Sequence, residues 1–436
     1  MKIRMALLGL LLSTSLPAQA TDWPMFQYDA RRQGAVSDRP QITRPGIRWR
    51  APVGISGWLN SPVIADNTVF IGTAGQVWNQ HDGLGFSVKK PTDSVMAFDL
   101  GSGKLKWHAP AQQDVNQVVW SDGLVLATGD EGAVWALDAR NGEVRWRTKL
   151  SGSSYQLLVQ NGQIIVGDST GQLYWLARSS GKVLRQKQLG GAIRAGAASD
   201  GQLVFVPTTT GQIYAFDQQG QTRWQADLNE IYPELNTDNY RPTLEIYNSP
   251  TVYKDLVIVG FARNTTYPEP ALVALERERG IMRWKAQGTR QRTDWGNLRS
   301  SPALYQDLLI YAEPYSNEIV AVEANNGQVS GSEAAGMVMF PQWSSPAVAG
   351  QTVYVPRFDG ALYALNAASG QLRWQFYLGQ AELVGPRLPE GLQYGEGGGE
   401  WKPPVGDAIY SSPAIAANGD VLLAAGGYLY CLTQQP

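Results

Sequence analysis

The segment GAVWALDARNGEVRW, Gly132 to Trp146, returns again and again along the chain, and this recurrence limits the possible folds more than any other feature. Within one copy, Ala133-Val134-Trp135-Ala136-Leu137 is apolar throughout, which suits a strand covered on both faces. Asp138-Ala139-Arg140-Asn141-Gly142 then supplies turn formers, with Gly142 suited to positive φ. Glu143-Val144-Arg145-Trp146 alternates polar and apolar residues, the pattern of a strand with one wet face. A single copy reads as two antiparallel strands joined by a tight turn.

The same pattern ends at Trp107, Arg185, Trp224, Trp284, Gly331 and Trp374, making seven complete hairpins. The first four end points are 39 residues apart and the later gaps widen to 60, 47 and 43, so insertions separate units that stay intact. A fixed period of this size marks a modular array. Each hairpin follows another strand pair, visible in Ser344–Gly360, Ser300–Glu313 and Asn248–Gly260. Four strands per unit make a propeller blade. The tail GGYLYCLTQQP holds only the first half of a hairpin, and RPGIRWR, with Trp49, only the second. The expected fold is therefore all-β, an eight-bladed β-propeller of four-stranded antiparallel blades, closed by pairing of the N- and C-terminal strands. Closure removes exposed sheet edges. The six tryptophans at the repeat position read as packing residues, because Trp supplies large buried area.

The repeats fill the chain, so one domain over residues 21–436 is expected. The formal charge of −2, with 17% charged residues, gives no footprint for nucleic acid or for a polybasic membrane patch. The opening MKIRMALLGLLLSTSLPAQA joins Lys2 and Arg4 to an apolar run and an Ala18-Gln19-Ala20 site. It reads as a secretory signal over residues 1–20, too short for a membrane span. The mature chain is expected to be periplasmic or secreted, with no direct membrane anchor. Cys431, the single cysteine, reads as a buried structural thiol.

The unit SSPAV…VYV…DGALYALNAASGQLRW resembles the repeat of the PQQ-like, or quinoprotein-type, β-propellers over nearly the whole mature chain. The start DWPMFQYDARRQGAV, Asp22 to Val36, is similar to the N-terminal segment of exported members. The resemblance implies two functional classes: quinoprotein dehydrogenases, which hold pyrroloquinoline quinone (PQQ) and calcium, and non-catalytic BamB-like scaffolds. Fold alone does not choose between them. The dehydrogenases typically cover the quinone with a disulfide between adjacent cysteines, which a chain with Cys431 alone cannot form. Calcium would need several oxygen ligands. Asp82, Asp93, Glu230, Glu234, Asp238, Glu245, Asp294 and Asp407 lie in the insertions, with no spacing that joins them into one site. His81 and His108 cannot make a histidine metal cluster.

Propellers bind ligands where the innermost strands begin. Aligning the blades places Leu59, Val115, Ser154, Arg194, Tyr247, Arg299, Trp343 and Tyr410 around this mouth. Asn60, Asn116, Tyr155, Ala195, Asn248, Ser300, Ser344 and Ser411 follow in the next ring. Arg194, Tyr247, Arg299, Trp343, Tyr410, Asn60 and Asn248 are the expected ligand-binding set, suited to an anionic or aromatic group. Long insertions at Thr73–Ser94, Asn229–Tyr247 and Gly385–Tyr410 add to this expectation. The second and third lead into innermost strands and belong at the mouth; the first lies within a blade and is not placed by this argument. The leading reading is an exported, non-catalytic scaffold that binds an envelope protein, peptide or polymer. The alternative is a PQQ- and calcium-dependent oxidoreductase acting on an alcohol or sugar, and a carbohydrate-binding role is the third.

Overall fold

A computed structural model of the protein describes residues 23–54, 60–74, 76–78, 85–87, 93–231, 244–261, 270–287, 298–313, 317–334, 344–357, 359–378 and 409–436. Eight four-stranded antiparallel blades form a ring, an eight-bladed β-propeller. Blade 1 comprises Val63–Ala65, Thr68–Thr73, Ser94–Asp99 and Leu105–Pro110, and blades 2 to 7 follow in chain order. Blade 8 takes Ala414–Ile415, Val421–Ala425 and Tyr428–Gln434 from the end of the chain and Pro45–Pro52 from its beginning. Across this closure Trp49 pairs with Cys431 and Arg50 with Tyr430, as the two half-hairpins require. Cys431 is fully buried, and burial first, then the neighbouring Asp420 carboxylate, pushes its thiol pKa far up.

Each hairpin carries a bulge just before its outermost strand pairs fully, as at Ala136/Leu137 in blade 2 and Ala364/Leu365 in blade 7. The extra residue re-aims the side chain opposite it. That side chain is the repeat tryptophan, and it crosses to the next blade. Trp49 Nε1 donates to Leu100 O at 2.8 Å, Trp107 to Ala139 O at 2.9 Å, and Trp146 to Arg178 O at 3.0 Å. Trp224, Trp284 and Trp374 donate to the carbonyls of Arg277, Ala324 and Ile42 in the same way. The indole lies on the turn glycine of the neighbouring hairpin, so closely that a Cβ on Gly142 would fall 2.6 Å from the Trp107 ring. Gly142 therefore serves twice, through its φ of 74° and through the space it leaves. The expectation that these tryptophans pack between blades holds.

Blade 3 has Arg185 in place of tryptophan, and its cross-strand partner is Trp175, where blade 2 has Ala136. The ring now comes from the inner neighbour, and Arg185 Nη1 still donates to the next turn, at Gln218 O, 3.2 Å away. His108 is exposed on the outermost strand of blade 1, as expected, and His81 lies outside the described residues.

The strands also fix which way the ring faces. In blade 1 a Cβ on Gly72, at the end of the second strand, would meet Val115 Cγ1 at 2.5 Å and Asn60 Oδ1 at 2.7 Å. The starts of the innermost strands and the ends of the second strands thus share one face. Thr73 and Ser94 pair at this end, and Ser94 pairs onward with Pro110. Both anchors of the Thr73–Ser94 insertion therefore stand at the mouth, a placement the sequence did not supply.

Candidate functional site

The site is built around the channel that the innermost strands enclose. Just inside the mouth, side chains on successive strands join into a belt. Ser249 N donates to Ser301 Oγ, Ser301 N to Ser345 Oγ, Ser345 N to Ser412 Oγ and Ser412 N to Ser61 Oγ, at 2.8 to 3.1 Å. On the other side of the ring, Gln117 Oε1 accepts from Leu157 N, and Gln156 Oε1 accepts from Gly196 N and Ser249 Oγ. One residue outward, asparagines brace neighbouring blades. Asn248 Nδ2 donates to Leu298 O at 2.9 Å and its Oδ1 accepts from Gly260 N, Asn116 Nδ2 donates to Ser154 O, and Asn60 Nδ2 donates to Val115 O. Asn60 and Asn248 are buried, at 0% and 1% exposure, so both are engaged within the frame of the mouth.

The channel is stoppered from the opposite end by residues 23–36. This stretch hydrogen-bonds to seven blades through Ile64 N, Trp120 N, Leu157 O, Ala197 O, Val252 N, Leu304 N and Val348 N. Trp23 packs into the hydrophobic cluster that includes Ile415 of blade 8. Ala35–Val36 adds a parallel strand to blade 7, pairing Ala35 with Val348. Arg32 holds the stopper together: wholly buried, it donates to Phe26 O, Leu157 O and Ala197 O at 2.6, 2.8 and 3.2 Å. Burial lowers its pKa to about 10, so it remains a cation at neutral pH. Between Phe26 below, the belt, and Tyr247 and Arg299 above, the channel narrows to a cavity of about 10 Å³. Sequence reasoning placed this segment among exported relatives but missed its role, because it is a single, non-repeating copy that acts largely through backbone groups.

Above the stopper, the structure brings together three of the expected mouth residues. The Arg299 guanidinium lies 4.7 Å from the Tyr247 ring centroid, and that of Arg194 lies 5.9 Å from it and 5.6 Å from the Tyr155 ring. Tyr247 is thus flanked by two cations, a favourable quadrupole arrangement. Its hydroxyl donates to Glu245 Oε2 at 2.7 Å, two residues back on the same side of an extended chain. Burial, then this hydrogen bond, pushes its pKa up to about 12. Among the described residues Arg194 makes no ion pair, and its Nε is buried without a hydrogen-bond partner. Tyr155 was aligned one ring deeper but joins the cluster through Arg194. Tyr410 is half-buried at the start of blade 8, and Trp343 and Leu59 lie outside the described residues.

Repeat, closure and stopper together define the chain well enough to compare it with known proteins. A family model described as outer membrane protein assembly factor BamB matches residues 46–198, 91–228 and 169–339 in overlapping copies. The chain belongs to this family of PQQ-like β-propellers. Among solved structures, BamB from Moraxella catarrhalis is 16% identical, with a TM-score of 0.61 over 90% of this chain and 98% of that one. A europium-containing methanol dehydrogenase is 13% identical, with a TM-score of 0.66 over 95% and 98%. Quinohemoprotein alcohol dehydrogenase from Comamonas testosteroni is 12% identical, with a TM-score of 0.68 over 96% and 82%. At these identities the likeness is one of fold. No match was found among curated protein sequences.

The expected alternative makes quinone and calcium the groups to test against these residues. The space of about 10 Å³ between Phe26 and the Tyr247–Arg299 pair does not admit a tricyclic quinone at that depth of the channel. Among the described residues no three His, Cys, Asp or Glu side chains gather into a metal site. Of the expected carboxylates, Asp93, Glu230 and Glu245 are described, and Glu245 accepts from Tyr247. Asp82, Glu234, Asp238, Asp294 and Asp407 lie outside the described residues. No chemical step is derived through either group. No helix among the described residues is long and apolar enough to cross a membrane.

Proposed function

We propose that this chain is an exported, non-catalytic propeller scaffold that recognises an acidic segment of an envelope protein, peptide or polymer at its channel mouth. One observation carries the reading: Arg194 and Arg299 flank Tyr247 above a stoppered channel, and among the described residues Arg194 has no carboxylate partner. A guanidinium held against aromatic faces keeps its outward N–H groups for a carboxylate and loses little freedom on binding. The channel is closed beneath this pair by the stopper, so a partner would meet the arginines from the mouth side. Asn60, Asn248 and Tyr410 would hold the rim, and Trp343 would complete it.

The test is replacement of both arginines, Arg194→Gln with Arg299→Gln, followed by crosslinking in the native envelope. Loss of the crosslinked partner with an unchanged melting temperature supports the reading; an unchanged partner removes the mouth from it. Reconstitution with PQQ and calcium decides the oxidoreductase alternative, since quinone absorbance together with dye reduction on alcohols or aldoses would replace the scaffold. Export is tested separately by the N-terminal sequence of the mature protein, expected at Thr21.

A further inference from the structure

The interface between blades 6 and 7 departs from the pattern of the other blade junctions. At six junctions a tryptophan of one blade fills the groove against the next, and between blades 3 and 4 Trp175 supplies the ring from the adjacent strand. Blade 6 has Gly331 at the tryptophan position and Ala321 opposite it, so neither strand provides a ring. The consequences are measurable in the neighbours. Ala97, Ala136, Ala215, Ala274 and Ala364, which face the tryptophans, are all at 0% exposure, whereas Ala321 is half-open. A Cβ on Gly331 would meet nothing within 4 Å. A Cβ on the turn glycine of blade 7, Gly370, would reach only Glu333 Cβ, at 3.5 Å, whereas Gly103, Gly142, Gly181, Gly280 and Gly327, which face repeat tryptophans, meet indole carbons at 2.3 to 2.6 Å.

A groove of about 100 Å³ is left, lined by apolar Ile310, Val353 and Leu365 and by polar Ser330, Ser332 and Glu333, with Ala367 and Gly331 also in its lining. Ala367 occupies the place in its turn that Ala139 and Ala324 hold in theirs, and those two carbonyls accept indole N–H groups. Among the described residues no donor reaches Ala367 O. Apolar cavities of roughly 150 Å³ stay dry and take up benzene. This groove is smaller, apolar on one side and polar on the other, and open to solvent, so a bicyclic ring enters with its polar edge toward Ala367 O and solvent.

We propose that the blade 6–blade 7 groove is a binding site for a small molecule carrying an indole-type ring, flat, apolar and bearing one N–H that donates to Ala367 O. The occupant is identified by the protein's own chemistry, because six equivalent grooves hold that ring in that orientation. The site lies between the outer strands and is independent of the channel mouth.

The test is titration of the full mature chain with 5-fluoroindole, followed by fluorine NMR. Saturable broadening is expected for the native protein, with Gly331→Trp abolishing it and raising the melting temperature. Gly331→Leu serves as a second plug should the tryptophan variant not fold. Benzothiophene, the same shape without the N–H, should compete about three- to tenfold more weakly, the range set by one lost hydrogen bond. N-acetyltryptophanamide should compete no better than indole; tighter binding would assign the groove to the side chain of a protein partner instead. Absence of saturable binding to the native chain, or binding undiminished by either plug, overturns the proposal.

Discussion

Two arginines on the channel axis show how differently its ends are used. Arg32, in the stopper, is fully buried and donates to three backbone carbonyls from two separate blades and its own segment. Arg194, at the mouth, is half-buried, stacks on Tyr155 and Tyr247, and has an Nε with no partner. A buried cation whose hydrogen bonds are met by backbone is fixed in place and useful mainly to the fold. A cation supported by ring faces keeps hydrogen-bonding directions open for a ligand. The far end of the channel is therefore structure, and the mouth is the end at which recognition is proposed.

Substitutions should separate the two ends by what they damage. The largest loss is expected outside both, in the frame: Trp284→Ala empties an inter-blade groove and leaves Ala324 O unpaired, costing about 3 to 5 kcal/mol in chemical denaturation with no change in partner binding. Arg32→Met comes next at about 2 to 4 kcal/mol, from three carbonyls left without a donor. Its mouth should retain binding wherever the variant is folded; loss of binding in a folded Arg32→Met protein would join the two ends into one functional unit. Arg194→Gln should change stability by no more than about 0.5 kcal/mol, the usual range for partly exposed positions, yet weaken partner capture.

The pH dependence sharpens the same contrast. Tyr247 at the mouth and Tyr354 and Tyr377 in the frame are each pushed up to about 12, chiefly by burial. The folded state then holds protons that the unfolded chain releases near pH 10. Their stabilising contribution is whole below pH 10 and is lost as pH rises through 12. A tyrosinate absorbance titration should show these groups ionising late, and Tyr247→Phe should remove one late component while leaving the others. The Cys431 thiol should stay unreactive toward thiol reagents until the protein unfolds, since burial in blade 8 disfavours its thiolate.

The frame was legible in the sequence because it is repeated. Strand periodicity and a glycine-bearing turn agree seven times over, the tryptophan recurs in five of those hairpins, and the two half-hairpins point to Trp49 pairing near Tyr430. Arg194, Tyr247 and Arg299 could be brought to one face by the same alignment. What could not be read was whatever occurs once or acts through backbone: the stopper around Arg32, and the exchange of ring and cation between Trp175 and Arg185. Asn60 and Asn248 show a subtler limit. Their position at the mouth followed from alignment, but an amide bonded across a blade junction looks the same in sequence as one facing a ligand.

The central claim is that the paired guanidiniums around Tyr247, rather than the frame as a whole, capture the partner. The direct measurement is quantitative crosslinking in the native envelope, comparing the unaltered chain with the Arg194→Gln, Arg299→Gln double variant at matched abundance and melting temperature. The account predicts that the partner adduct falls by about tenfold or more, as expected when buried or stacked charge contacts are removed. An adduct of the same identity and yield from both proteins would contradict it.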